Sequence, residues 1–202
     1  MNKEKARFFD EQTDAPWAAA EYTQEEINKT KRLLQEAHVK KGLKILEPGC
    51  GTGRLTEILA KQTGPEGVVV ALDISPNMIK ICRARLAGLT NCRLYCTAME
   101  DFPCEPNEFD LVICHQVFPH FDDKAEAVAN MARVLRPRGR LVVFHFKGSS
   151  HINDVHRKAG TVIEKDLLPP EKEMKKIFRE AGFVVQKFTD DDQGYLLCAN
   201  LT

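Results

Sequence analysis

Apolar residues along the chain follow two alternating patterns. Short, nearly continuous apolar runs predict buried strands at 43–46, 67–73, 92–97, 109–115 and 139–146. Segments with apolar residues at helical spacing predict helices at 24–38, 54–62, 76–86 and 122–135. Continuous apolar strands that alternate with helices are typical of a parallel sheet covered on both faces. The pattern therefore predicts a doubly wound α/β fold.

The last third of the chain departs from this alternation. Residues 148–168 form a polar, histidine-containing stretch, which we interpret as an insertion. A helix with a proline start and a glycine stop is predicted within 169–183. Two apolar runs then flank a short turn at Asp192-Gln193-Gly194. Because a short turn joins antiparallel strands, the last strand is predicted to run antiparallel.

Composition narrows the classes of protein to consider. The chain has 202 residues, and its 29 Lys and Arg balance 29 Asp and Glu. One domain over 1–202 is expected, and no net field favours nucleic acid or a membrane surface. The first residues are charged, and no apolar run approaches the roughly 18 residues of a spanning helix. We expect a cytoplasmic protein without a membrane span, whose oligomeric state stays open.

The seven cysteines are interpreted mainly as reduced, buried thiols, because their number is odd and several fall in predicted strands. A second interpretation is that Cys92, Cys96 and Cys104 gather a soft metal or an arsenic species. Their spacing matches none of the paired CxxC zinc patterns.

A glycine-rich loop, LEPGCGTGRL at 46–55, joins the first predicted strand to a helix. Such a turn directs backbone N–H groups and the positive end of the helix toward a ligand at the carboxyl edge of the sheet. Its glycines are Gly49, Gly51 and Gly53, and Arg54 stands where a dinucleotide-binding loop requires its last glycine. A phosphate-binding P-loop is also excluded, because no Gly-Lys-Ser/Thr follows.

Asp73 ends the second predicted strand, twenty residues after Gly53. A carboxylate at that position can accept hydrogen bonds from both hydroxyls of a ribose. The alternative is that Asp73 only caps the next helix or is a solvated strand end.

Together these motifs resemble the class I S-adenosylmethionine-dependent methyltransferases over roughly residues 43–200. Besides the loop and Asp73, the resemblance rests on TAMEDFP, FDLVICHQVFPHF and RVLRPRGRLVV. It implies a three-layer, Rossmann-like sheet of seven strands in the order 3-2-1-4-5-7-6, with the last strand antiparallel. It also implies S-adenosylmethionine as cofactor and S-adenosylhomocysteine as product. The wider sequence is similar to small methyltransferases related to the ubiquinone and menaquinone branch, a similarity that names no acceptor.

The resemblance implies a set of cofactor-binding positions. Glu47 would lie under the methionine portion, Ile74 would pack on the adenine, and Ala98 with Met99 would flank its other side. The family's usual Asp before that Ala is Thr97 here. The complete implied set is Glu47, Gly49, Cys50, Gly51, Gly53, Asp73, Ile74, Met78, Ala98, Met99 and His115.

Five of the six histidines fall between positions 115 and 156. We expect His120, His145 and His156, with Asn153, to line an acceptor pocket, and one of these histidines to act as a general base. Two alternatives are solvated loop imidazoles and a three-imidazole metal site, for which the spacing is loose. No metal is therefore expected.

Two segments are expected to cover the site. Residues 1–40, an arm with Phe8, Phe9, Trp17 and Tyr22 followed by a helix, resemble a flap over the cofactor, although the aromatic residues could simply anchor the arm. Residues 148–168 are expected to fold over the acceptor pocket.

Three functions remain. The first is methylation of a small molecule at O, N, C or S, and the second is methylation of a metalloid such as arsenite. The third is cofactor binding without catalysis. An amino-methylating DNA enzyme is disfavoured, because CHQVFPH replaces its D/N-P-P-Y/F motif.

Overall fold

The computed structural model describes residues 2–202 as two compact units, one ending at Phe102 and the other beginning at Pro103. Met1, the first residue of the predicted domain and arm, lies outside the described residues. One functional domain over 1–202 stays a prediction.

The first unit contains three parallel strands and the helices that connect or precede them. Its elements are α1 (Lys3–Asp10), α2 (Pro16–Ala19), α3 (Gln24–Glu36), β1 (Lys44–Pro48), α4 (Arg54–Thr63), β2 (Val68–Asp73), α5 (Pro76–Arg85) and β3 (Cys92–Cys96). In the sheet register, Glu47 of β1 lies opposite Ala71 of β2, and Asp73 lies opposite Cys96 of β3. The predicted strands and helices between 24 and 97 are confirmed within a few residues.

Helix boundaries in this unit follow local chemistry. Helix α4 begins directly after Gly53 and ends directly before Gly64. Helix α5 begins with Pro76, and the Ser75 hydroxyl accepts a hydrogen bond from the Met78 N–H at 3.0 Å. This serine cap and first-turn proline are the predicted start signals.

The second unit contains β4 (Phe109–His115), a 3-10 turn (Phe118–His120), α6 (Lys124–Val134), β5 (Leu135–His145), α7 (Ser149–Lys158), α8 (Glu171–Glu180), β6 (Phe183–Asp191) and β7 (Gly194–Leu201). Strands β4 and β5 are parallel, whereas β7 runs antiparallel to both β5 and β6. The predicted closing hairpin is confirmed.

The seven strands form one sheet in the order β3-β2-β1-β4-β5-β7-β6. This order and the antiparallel last strand confirm the fold that the resemblance implied. Within residues 2–202, no helix combines the length and apolar character needed to cross a bilayer.

The polar stretch 148–168 is more ordered than its pattern indicated, since a ten-residue helix, α7, occupies Ser149–Lys158. The buried residue of this helix is His156, while Val155 is 52% exposed. The helix lacks an apolar stripe because its inward contact is polar, which is why periodicity did not reveal it.

Candidate functional site

The glycine loop in the first unit adopts a conformation that favours glycine at three positions. Gly49, Gly51 and Gly53 have φ values of 71°, 54° and 84°, all in the left-handed region. At Gly53 a Cβ atom would also lie 2.6 Å from the Sγ of Cys82. The alternating glycines are therefore explained by backbone conformation and, at Gly53, by close packing against α5.

Asp73 joins this loop to the start of α5. Its Oδ2 accepts the Gly51 N–H at 2.8 Å, and its Oδ1 accepts the Ser75 N–H at 2.9 Å. Burial raises the pKa of Asp73, and these backbone hydrogen bonds oppose the rise. Because each carboxylate oxygen has two lone pairs, Asp73 can hold the loop and still accept hydrogen bonds from ribose hydroxyls.

Glu47 is the second buried acid of the first unit, and its residue is 2% exposed. Its Oε2 has no hydrogen-bond partner among residues 2–202. Burial raises the pKa of Glu47 to about 8, the negative charge of Asp73 adds to the rise, and the Thr56 hydroxyl lowers it. A buried carboxylate oxygen without a donor fits the predicted role of Glu47, which is to receive the ammonium group of the cofactor's methionine.

The raised pKa of Glu47 predicts a pH-dependent effect of Glu47→Gln on stability. A folded-state pKa of about 8, above the ordinary 4.5, means that the folded chain binds this proton more tightly than the unfolded chain. The stability due to Glu47 is therefore fully present below pH 4.5 and is lost as the pH rises through 8. We expect Glu47→Gln to gain stability over the native chain between pH 5 and 8, by up to about 3 kcal/mol.

Urea unfolding of both chains at several pH values, without cofactor, measures this gain. Glu66→Gln, at an exposed position, is the matched control and should show no such trend. Parallel stability curves for Glu47→Gln and the native chain would contradict the assignment of a raised pKa.

The residues implied for the adenine, Ile74, Ala98 and Met99, follow the ends of β2 and β3. Met99 is 2% exposed, whereas Ile74 and Ala98 are half-buried. Met78, another implied cofactor residue, lies in α5 and is 1% exposed. The Thr97 N–H donates to the Asp73 carbonyl at 3.0 Å, and the Thr97 hydroxyl donates to the Ala98 carbonyl at 3.3 Å. The missing Asp is thus replaced by a hydroxyl that bonds to the main chain, and adenine contacts at these positions stay a prediction.

The N-terminal arm attaches to the start of α5 through one side chain. Asp10 Oδ1 accepts hydrogen bonds from the Ser75 hydroxyl and the Asn77 N–H, each at 2.8 Å. Asp10 Oδ2 accepts a third, from the Asn77 side-chain amide, at 2.8 Å. Asp10, the last residue of α1, is therefore held by hydrogen bonds to Ser75 and Asn77 at the start of α5.

The arm also bonds to the residues that follow Gly51. The Thr52 hydroxyl donates to the Ala18 carbonyl at 2.9 Å, and Arg54 donates to the Ala20 and Trp17 carbonyls. The Arg54 guanidinium lies 4.5 Å from the centre of the Tyr22 ring. Arg54, the residue that excluded a dinucleotide loop, thus holds the arm against the cofactor loop.

Asp10→Ala is predicted to release the arm without unfolding the unit. Loss of three hydrogen bonds to a charged acceptor should make amides of residues 3–20 exchange about 10- to 100-fold faster. Hydrogen exchange followed by mass spectrometry measures this, with exposed Asp14→Ala as control. Unchanged protection of the arm in Asp10→Ala would show that Asp10 does not hold it.

In the second unit, Asp166 brings two of the predicted histidines together. His120 Nδ1 donates to Asp166 Oδ2 at 2.9 Å, and His156 Nδ1 donates to the Asp166 main-chain carbonyl. The two imidazole rings pack with their centres 4.9 Å apart. Asp166 carries no sequence signal beyond being one acid in a polar segment, so it was not predicted as a site residue.

His145 is 2% exposed and lies against Tyr195, its neighbour across β5 and β7, with ring centres 5.9 Å apart. Burial, followed by the charges of His115, His120 and His156, lowers the pKa of His145 well below 6.5. His145 is therefore neutral at physiological pH. Neither its Nε2 nor the Tyr195 hydroxyl has a hydrogen-bond partner among residues 2–202.

His115 and Asn153 each form hydrogen bonds within the second unit. His115 Nδ1 donates to the Phe144 carbonyl at 3.2 Å, and its ring packs against Phe144 and Phe146. Asn153 donates to the Leu168 carbonyl at 3.0 Å and accepts the Leu168 N–H at 2.8 Å. The Asn153 amide thus joins α7 to the segment before α8, and its place in an acceptor pocket stays a prediction. The cofactor contact of His115 stays a prediction.

The metal hypotheses receive no support from the described part of the chain. Among residues 2–202, no group of three or more His, Cys, Asp or Glu side chains is arranged to hold a metal ion. Cys92 and Cys96 lie at opposite ends of β3, roughly 13 Å apart at the rise of a strand. Burial raises the pKa of the Cys92 thiol to about 11. Burial and the Glu108 carboxylate raise that of Cys104 to about 12, so both disfavour the thiolate that binds arsenic.

Comparisons with known proteins agree with the architecture. A family model described as a methyltransferase domain matches residues 39–187. The demethylmenaquinone methyltransferase of Staphylococcus aureus (strain JH9) is 30% identical, over 79% of this chain and 76% of that protein.

Two solved structures share the fold at low sequence identity. A SAM-dependent methyltransferase from Aquifex aeolicus has a TM-score of 0.71 and 18% identity, with all of both chains covered. A chain from a complex with the Haloferax volcanii Trm112 methyltransferase activator has a TM-score of 0.73 and 18% identity, covering 98% of this chain and 95% of that one. With the family match, these findings identify S-adenosylmethionine as the cofactor. The chain belongs to the class I S-adenosylmethionine-dependent methyltransferases.

Proposed function

We propose that this enzyme transfers the methyl group of S-adenosylmethionine to a small-molecule acceptor, with His120 as the general base. The observation that carries the proposal is the hydrogen bond from His120 Nδ1 to Asp166 Oδ2, at 2.9 Å. A base is needed where the attacking atom of the acceptor carries a proton.

The cofactor end of the proposal rests on the first unit. The glycine loop and Asp73 would hold the nucleoside, with Asp73 accepting the ribose hydroxyls. Glu47 would receive the ammonium group, which the unpartnered Oε2 supports. Residues 1–40 would act as a lid, which the hydrogen bonds from Thr52 and Arg54 to the arm support.

His120 is favoured as the base over the two other predicted histidines. His145 has a lowered pKa, which makes it a weak base, and its residue is 2% exposed. His156 packs beside His120 and is buried. Since His120 donates through Nδ1, its Nε2 is the nitrogen that can take a proton.

The methyl-transfer step itself needs few catalytic groups from the protein. Bound S-adenosylmethionine supplies an electrophilic methyl group, to which the acceptor's lone pair forms a bond while the sulfur keeps the pair of the broken C–S bond. His120 takes the acceptor's proton, and alignment with exclusion of water supplies most of the acceleration. We propose that residues 148–168, which include α7 and Asp166, cover the acceptor.

A small acceptor is supported by charge and by similarity. The chain has no net charge, which gives no field for binding a polyanion. The name of the Staphylococcus aureus relative specifies demethylmenaquinone, a small molecule. The metalloid alternative is disfavoured by the raised thiol pKa values, and cofactor binding without catalysis would leave the His120–Asp166 pair without a role.

The test is untargeted. The chain is incubated with methyl-labelled S-adenosylmethionine and an extract of its own cells, and labelled products are identified by mass spectrometry. We expect a labelled small molecule that is absent with His120→Ala and present with Glu66→Gln, a change at an exposed position outside the proposed site. Label confined to nucleic acid or protein, or arsenite as the sole acceptor, would overturn the proposal.

A further inference from the structure

We propose that Asp166 is the positioning residue of the acceptor site: it fixes the tautomer of His120, and α7 exists to hold Asp166 in place. This inference rests on the proposed function of His120 as base. Four observations from the second unit carry it.

The first observation is the pairing itself. Asp166 Oδ2 accepts the His120 Nδ1–H at 2.9 Å, and the Asp166 side chain is 8% exposed. A carboxylate on one imidazole nitrogen leaves the other nitrogen as the proton acceptor and stabilises the imidazolium that forms. A buried carboxylate also requires polar compensation, which His120 supplies in part.

The second observation is that two residues of α7 form hydrogen bonds with the chain around Asp166. His156 donates to the Asp166 main-chain carbonyl, so the main chain and the side chain of Asp166 each bind a histidine. Two residues later, Leu168 forms both of its main-chain hydrogen bonds with the Asn153 amide, at 2.8 and 3.0 Å. Segment 166–168 is thereby fixed at two points.

The third observation is the spacing of these contacts on the helix. Asn153 and His156 are three residues apart in α7, so they lie on the same helix face. That face carries these two polar side chains, which form hydrogen bonds with segment 166–168, in place of an apolar stripe. The polar segment thus has a role that its sequence pattern concealed, and His156 acts through Asp166.

The fourth observation is the set of charged and titratable groups around His120. Besides Asp166, the described groups include the ring of His156, at 4.9 Å between ring centres, and buried His145 on β5. The Lys124 ammonium on α6 donates to the Pro119 and Phe121 carbonyls, which flank His120. Asp166 is the anion whose bond to the imidazole is described, so its removal should disfavour the protonated form of His120.

The test is Asp166→Asn, which keeps the shape and a carbonyl acceptor but removes the charge. Histidine proton resonances of the cofactor-free chain are followed by NMR through a pH titration. We expect the midpoint of His120 to fall by about one pH unit or more. The lower arm of the pH–kcat/KM profile should move in the same direction, and kcat should fall about 10- to 100-fold with S-adenosylmethionine affinity unchanged.

Asp166→Glu should bring the His120 midpoint part of the way back to its native value. Asn153→Ala should broaden the His120 resonance by loosening segment 166–168. A native His120 midpoint in Asp166→Asn, in a chain that stays folded, would overturn the inference. Because the NMR titration needs no acceptor, it separates the two proposals: failure to find methyl transfer leaves its outcome intact, and a native midpoint leaves methyl transfer intact.

Discussion

Asp73→Ala is expected to lower the affinity of the chain for S-adenosylmethionine by at least about 100-fold, or roughly 2.7 kcal/mol. Two losses add up in this variant. The ribose hydroxyls lose a charged acceptor, and the Gly51 and Ser75 N–H groups lose the carboxylate that now orders them at 2.8 and 2.9 Å. Each hydrogen bond to a charged group is worth about 1.5–3 kcal/mol, so the sum exceeds the threshold.

Isothermal titration calorimetry measures this change, with circular dichroism to show that the variant is folded. Asp192→Ala, at an exposed position of the closing hairpin, is the control and should bind as the native chain does. Asp73→Asn, which keeps one carbonyl oxygen, should fall between the two. Native affinity in Asp73→Ala would mean that the sugar is held elsewhere.

The second large effect is expected from His120→Ala. Removal of a positioned general base typically costs 10²- to 10⁴-fold in rate, and we expect kcat to fall by about that factor. Affinity for S-adenosylmethionine should be unchanged, because His120 is not among the proposed cofactor residues, which lie in the first unit except for His115. The carboxylate of Asp166 would lose its described imidazole partner, so a modest loss of stability is also expected.

The assay is single-turnover methyl transfer with the acceptor that the extract experiment identifies. Glu66→Gln, at an exposed position outside the proposed site, is the control. His145→Ala should mainly lower the free energy of unfolding and have a smaller effect on kcat, because His145 is 2% exposed and neutral. Native turnover in His120→Ala would assign proton removal to solvent or to another residue.

Sequence reasoning succeeded where apolar burial or glycine conformation determines the structure. Strand β4 was predicted at its observed bounds, 109–115, because its central residues are apolar and buried on both faces. The glycines at 49, 51 and 53 adopt the left-handed backbone that their spacing indicated. Ser75 and Pro76 start α5 as their chemistry predicts.

Sequence reasoning failed where hydrogen bonds between distant residues determine the structure. Helix α1 has Lys5 as its buried residue and is capped by Asn2, so it has no apolar stripe to detect. Asp166 and His120 are 46 positions apart, and no local sequence pattern predicts their contact. The three predicted catalytic histidines also differ in environment, which only burial and partners reveal.

Calorimetric titration of the purified chain with S-adenosylmethionine, and separately with NAD⁺, tests the central claim that the glycine loop and Asp73 hold a sulfonium nucleoside. The account predicts one-to-one binding of S-adenosylmethionine, weakened at least about 100-fold by Asp73→Ala, and no heat of binding with NAD⁺. Binding of NAD⁺ with no response to S-adenosylmethionine would contradict it.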